Sequence, residues 1–127
     1  MSIKIGVEEL SDAVKKDLEE YSKLSDKQLK ASVLKVAKET CQQIKDTAPR
    51  RTGAYAESWT TKKTRETPNC LEMTIYSKDQ YQLSHLLENG HALRQGGRSP
   101  AFPHIAPAEQ AGIAKLEEEV KKVISDG

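Results

Sequence analysis

The stretch from Tyr81 to Gln110, YQLSHLLENGHALRQGGRSPAFPHIAPAEQ, limits the fold more than any other part of the chain. It holds all three histidines, three of the five prolines and the only phenylalanine. A helical signal of about two turns, Tyr81 to Asn89, places Leu83, Leu86 and Leu87 on one side and ends at Gly90 as a C-cap. Residues 91–106 show no period, and Pro107 then opens a new helix. A loop of that length is longer than compact domains usually carry without a use for it. Pro100, Pro103 and Pro107 restrict its entropy and favour extended backbone. Phe102 and Ile105 therefore stand on a stiffened arm that adds to a neighbour's sheet or lies in a groove between helices. The alternative is that both fold back onto the subunit's own hairpin.

The remaining elements are legible from periodicity. Ile3 and Ile5 alternate in a short N-terminal strand. Val7, Leu10, Val14, Leu18 and Tyr21 form one helical stripe opposite a charged face. Ser25 and Gln28 have capping-box spacing. They open a long helix, about 25–48, with Leu29, Val33, Val36, Ala37, Thr40 and Ile44 as its stripe, ended by Pro49. Pro49 to Gly53 is a turn. A β-hairpin over about 55–77 follows, with Pro68-Asn69 at its tip and Leu71, Met73 and Ile75 alternating with polar residues. Ile113, Leu116, Val120, Val123 and Ile124 form the stripe of a C-terminal helix over about 107–125. The fold class expected is α+β, a small antiparallel sheet packed against the long helix and the C-terminal helix.

At 127 residues the chain reads as one domain, 1–127, with the Gly/Pro-rich loop at 91–106 as its one long interruption. Only 36% of residues are hydrophobic while 31% are charged, so the core is modest and the helices keep fully solvated outer faces. A formal net charge of +1 is not the footprint of a protein that grips nucleic acid over a broad surface, and leaves at most weak DNA contact. No apolar run approaches the roughly 20 residues that span a bilayer, and the N-terminus lacks a secretory pattern. Cys41 and Cys70 read as reduced thiols of a cytosolic protein.

Three chemistries deserve weighing. His85, Glu88 and His91 are spaced by three, with His104 beyond, and a His/Glu set can hold zinc or serve a small metal-dependent hydrolase or nuclease. Gly90 ends the helix before His91, and neither a cysteine pair nor HExxH accompanies the set, so no metal or cofactor is expected. A nucleophile elbow and a phosphate loop are both absent. Arg50, Arg51, Lys62, Lys63, Arg65, Arg94 and Arg98 can touch phosphates, but acidic residues are interleaved and stacking aromatics are few. The better reading is a protein–protein surface.

Two blocks carry a resemblance: APRRTGAYAESW, Ala48 to Trp59, and HLLENGHALRQGGRSPAFPHIAPAEQ, His85 to Gln110. Together they resemble the small phage morphogenesis proteins called minor tail, tail-completion or head–tail joining components. Thr52, Gly53, Glu88, Gly90, His91, Pro103, His104, Pro107 and Ala108 match the family's turn and loop motifs. The resemblance spans the order of elements from about Gly6 to Ser125. It implies an α+β subunit and a structural rather than enzymatic role. It also implies assembly into a homo-oligomeric ring, often of six, at the neck or tail end of a virion or prophage-encoded particle. Partners would then be other neck or tail proteins, and the places would be the virion and, during assembly, the host cytoplasm. Contacts are expected through edge strands and through Arg94, Arg98, Phe102, His104 and Ile105, with Arg50 and Arg51 in support. Thr52, Gly53, Gly90, Pro103 and Pro107 are expected to shape the backbone.

Overall fold

The computed structural model describes residues 2–20, 26–49, 53–67 and 70–126; the side chains of residues 17–20, 26–27, 70 and 123–126 also lie outside the description. Strands β1 (Ser2–Ile5), β2 (Trp59–Thr67) and β3 (Cys70–Ser77) form one antiparallel sheet in the order β1-β3-β2. Ile3 pairs with Ile75 and Ile5 with Met73, while Thr61 pairs with Ile75 and Lys63 with Met73. The register slips once between Lys63 and Arg65, leaving Thr64 as an extra residue. The inner face carries Ile3, Ile5, Trp59, Leu71, Met73 and Ile75, all buried. Alternation in β1 therefore does what period two requires, one face in the core and one towards water, while central β3 also has Thr74 buried on its outer face, bonded to the Thr64 hydroxyl.

Helices accompany the sheet: α1 (Asp12–Glu20), α2 (Asp26–Thr47), α3 (Ala54–Glu57), α4 (Tyr81–Asn89) and α5 (Ile105–Asp126); α2 packs across all three strands, α5 packs on α2 and β1, and α1 packs on α5. The stripe of α2 lies where its period puts it, with Val33, Val36, Ala37, Thr40 and Ile44 buried and Leu29 packed against the core. Leu116 and Val120 of α5 meet it, with Ile113 partly buried beside them. The two helices run antiparallel, as the ion pairs Lys35–Glu119 (2.7 Å) and Lys115–Glu39 show, since four residues forward on one match four back on the other. These pairs are exposed and fix register more than they stabilise. The helices approach closely at Gly112, where an added Cβ would run into the hydroxyl of buried Thr40.

Four boundaries differ from the sequence reading. The first helix is split: a 3-10 turn at Val7–Glu9 precedes α1. Ser11 makes the break, its hydroxyl accepting the Val14 N–H and its own N–H donating to Glu117 of α5 (2.6 Å). The hairpin starts at Trp59 rather than at Tyr55, because Gly53 at φ 84° turns the chain into the short helix α3. The last helix begins at Ile105, two residues before Pro107. Residues 91–104 are not an arm without internal pairing, as described below. The capping pair at Ser25, Tyr21 of the first stripe and the Pro68-Asn69 tip lie outside the described residues. So do Arg50, Arg51 and Thr52, and the side chains of Leu18, Cys70, Val123 and Ile124. Cys41 is a free, buried thiol, which its burial pushes above the ordinary thiol range.

Replacing Gly112 by Val should force α5 away from α2. The expected loss is about 1–3 kcal/mol, the ordinary cost of overpacking a close contact, read from the urea midpoint at unchanged slope.

Candidate functional site

Among the described residues the carboxylate of Glu88, in the last turn of α4 and buried, holds the most backbone amides. One oxygen, Oε1, accepts the backbone N–H groups of His104 (2.8 Å) and Ile105 (2.9 Å). The other, Oε2, accepts that of Ala106 (3.0 Å). An α-helix leaves four N–H groups at its start without an internal partner. For α5 these belong to His104, Ile105, Ala106 and Pro107. Glu88 takes three, and the fourth residue, a proline, has none to offer. The first turn is thus fully satisfied from another helix, and it tolerates Pro107 for that reason.

His104 extends the network. Its Nδ1 lies 2.7 Å from the Phe102 carbonyl oxygen and 3.1 Å from Glu88 Oε1. Both are acceptors, so Nδ1 carries the ring proton. Nε2 is then free to accept from the Tyr55 hydroxyl at 2.7 Å. Tyr55 comes from α3, and its ring stands edge-on to His104 and to Trp59. Burial raises the Tyr55 phenol above its ordinary value; the Trp59 indole partly offsets this, and the negative charge of Glu88 adds to it. Burial also works to raise the Glu88 carboxyl, but the backbone amides of Ala106, His104 and Ile105 outweigh it and hold the group below the usual carboxylate value.

Between the two helices the chain closes on itself. Gly90 sits at φ 72° and ψ 175°, a region open almost only to glycine, and a Cβ there would lie 2.6 Å from the Ser99 carbonyl oxygen. The Ser99 N–H donates to the His91 carbonyl (2.8 Å), and the Ser99 hydroxyl accepts the His91 N–H (3.0 Å). The same hydroxyl shares a hydrogen bond of 2.8 Å with His91 Nδ1. Ala92 and Arg98 form an antiparallel bridge, and the Leu93 N–H donates to the Gly97 carbonyl (3.0 Å). Residues 91–99 are therefore a small hairpin. The Phe102 N–H then bonds to the Leu87 carbonyl (2.7 Å), which seats the return strand beside α4.

The structure sorts the residues singled out from sequence. Arg94 and Arg98 are exposed on the hairpin, and Phe102 is 48% exposed. His104 and Ile105 are each 2% exposed and belong to the subunit's own interior, where Ile105 joins the core. The extended arm expected for Phe102 and Ile105 is thus resolved by two side chains with opposite fates. Gly53 and Gly90 carry the positive φ expected of turn residues. Glu88 and His104 do meet, but as a helix cap rather than as metal ligands. His85 stands exposed on the outer side of α4 against Tyr81, and His91 is bonded within the hairpin. Among the described residues no group of three or more His, Cys, Asp or Glu is placed to hold a metal ion.

Leu83, Leu86 and Leu87 share one side of α4, but that side mostly faces outward. Only Leu87 packs against the core; the buried positions are Ser84 and Glu88, while Leu83 and Leu86 are exposed. Sequence reasoning missed Tyr55 and the capping role of Glu88. One signal was available: an acidic residue in the last turn of a helix sits at its negative end, where cations are preferred, so its charge is needed elsewhere.

With this geometry in place, comparison with known families is specific. The family model described as "Bacteriophage HK97-gp10, putative tail-component" matches residues 12–90, well over half of the chain. The chain therefore belongs to the HK97-gp10-like family of bacteriophage tail components. The match contains the whole Ala48–Trp59 block and reaches Gly90 in the second block. No curated protein and no solved structure matches the chain. No helix among the described residues is long and apolar enough to cross a membrane.

Two substitutions test the site. Glu88→Gln keeps the shape but turns an amino group towards the Ala106 N–H; the expected loss is about 1–3 kcal/mol near neutral pH. A carboxyl held below its free value stabilises the fold above that value, 4.5, and the contribution fades as pH falls through the folded-state value. The gap between wild type and Glu88→Gln in urea unfolding should accordingly shrink in acid. Gly90→Ala should lose about 1–3 kcal/mol from backbone strain, with additional cost from the Ser99 contact, in the same measurement.

Proposed function

We propose that this tail component assembles as a homo-oligomeric ring at the head–tail junction or tail end of the particle, where it joins or completes the tail. Its role is structural rather than catalytic. One observation carries the reading beyond the family. Among the described residues the large hydrophobic side chains left exposed are Leu34, Tyr81, Leu83, Leu86, Leu93 and Phe102, and five of these six lie between Tyr81 and Phe102. An exposed apolar concentration of this kind marks a surface that is covered in the working assembly.

The α4 face with Tyr81, Leu83 and Leu86 is the self-contact we favour. The sheet edges are poorer candidates. The outer edge of β2 carries exposed Lys62, Lys63 and Arg65 and the extra residue Thr64, features that resist strand addition. β1 presents an edge of only four residues. Ring closure needs a head-to-tail contact, so the α4 face meets a different patch on the neighbour. A ring of six agrees with the proteins that the two sequence blocks resemble.

Light scattering coupled to size exclusion tests this reading. Wild type should elute as a closed assembly several times the 14.1 kDa chain mass. The double substitution Leu83→Glu with Leu86→Glu should reduce it to monomer without loss of helical signal. A wild-type chain that stays monomeric at high concentration and beside its neighbour proteins would overturn the proposal.

A further inference from the structure

The hairpin differs in chemistry from the rest of the surface. From Asn89 to Ala108 the sequence contains no Asp or Glu, although the whole chain has nineteen. The nearest preceding acid, Glu88, is buried and engaged by three backbone amides. The protrusion therefore presents Arg94 and Arg98 with no carboxylate of its own segment to offset them. Beside these cations stand two large apolar side chains, Leu93 at 41% and Phe102 at 48% exposure. The turn itself is free of its own subunit: a Cβ at Gly96 or Gly97 would meet nothing within 4 Å. Bonds between His91 and Ser99 at its base hold it in shape before any partner arrives, which lowers the entropy cost of docking.

Such a surface fits an occupant that is acidic and apolar at once. DNA supplies the charge, but its phosphates give Leu93 and Phe102 nothing to bury against. A second copy does not fit either. Among the described residues, exposed large hydrophobics elsewhere are Leu34, Tyr81, Leu83 and Leu86. Leu34 lies one turn from Lys30 and from Lys38. The α4 face has only Asp79 nearby, next to Lys78. The acidic positions of α5, Glu117 to Glu119, have no exposed large hydrophobic among them. Among the described residues the two chemistries are not placed together.

We infer that the hairpin at 91–99, with Phe102, is the docking surface for a different virion protein, one whose receiving groove has an apolar floor and an acidic rim. The inference rests on the structural reading above and refines it: copies of this chain meet through α4, and the hairpin makes the joint to the next protein. Arg94 and Arg98 set the specificity of that joint, while Leu93 and Phe102 supply its buried area.

The test uses the particle that encodes this chain, with its own gene deleted and the chain supplied in trans. A photo-crosslinking residue replaces exposed Gln95, and adducts are identified by mass spectrometry. The expected adduct is a segment of another virion protein in which Asp and Glu outnumber Lys and Arg. The variant Arg94→Glu with Arg98→Glu should lower the yield of finished particles roughly tenfold or more. Reversing acidic residues of the crosslinked segment to Lys should restore it. Because Arg98 also donates to the Gly90 carbonyl at 3.4 Å, Arg94→Glu alone serves as the variant free of any fold effect. The purified variants should keep the wild-type mass in light scattering. An adduct to DNA or to a second copy, undiminished particle yield, or loss of self-association in the variants would each overturn the inference. A wild-type chain that never self-associates would instead sink the ring reading, with the crosslink still deciding this one.

Discussion

One carboxylate organises the second half of this molecule. Glu88 accepts the N–H groups of His104, Ile105 and Ala106, and Pro107 removes the only other donor that the start of α5 would leave without a partner. The arrangement answers two electrostatic demands together. A negative charge in the last turn of α4 is unfavourable to that helix, and the positive end of α5 repays it. Neither helix end would be stable in the interior alone, so α4 and α5 fix each other's position. His104 and Tyr55 carry the tie to α3, beside the strand that begins at Trp59.

This constraint also shapes the surface. Because Glu88 and Ser84 occupy the inward side of α4, Leu83 and Leu86 are turned out. Because the chain must travel from Asn89 to a helix start beside the same residue, the intervening segment has to leave and return to nearly one point. Gly90, in a backbone region other residues avoid, makes the exit, and bonds between His91 and Ser99 make the return. What protrudes is short, braced and cationic. The features that suit a tail component, an apolar helix face and a rigid projecting hairpin, thus follow from how one buried charge is satisfied.

Elements set by local period were legible in the sequence. The long helix and the extent of α4 follow from spacings of three and four and β3 from a spacing of two, and the structure differs there by a residue or two; β2 instead begins four residues later than its expected start. What was not legible depends on distant partners. The start of α5 at Ile105 is capped by a residue sixteen to eighteen positions earlier, a pairing that no local window contains. The inward face of α4 was not legible either: leucines normally claim the core, and here a glutamate needed by another helix takes that side. Tyr55 to Glu57 was taken into the strand because the Thr-rich run after it is strongly extended, although Ala and Glu are good helix formers. The histidines and glutamate that suggested a metal site were a true cluster only in part: Glu88 and His104 meet, His85 and His91 do not join them.

The central claim is that Glu88 holds the start of α5 in the free subunit, before any assembly. Amide hydrogen exchange of the isolated chain at neutral pH tests it most directly. If the claim is right, the amides of His104, Ile105 and Ala106 exchange as slowly as those in the middle of α5, and all three become fast together in Glu88→Ala while α2 stays protected. Exchange of these three amides at the rate of an unstructured peptide in the wild-type chain would contradict it.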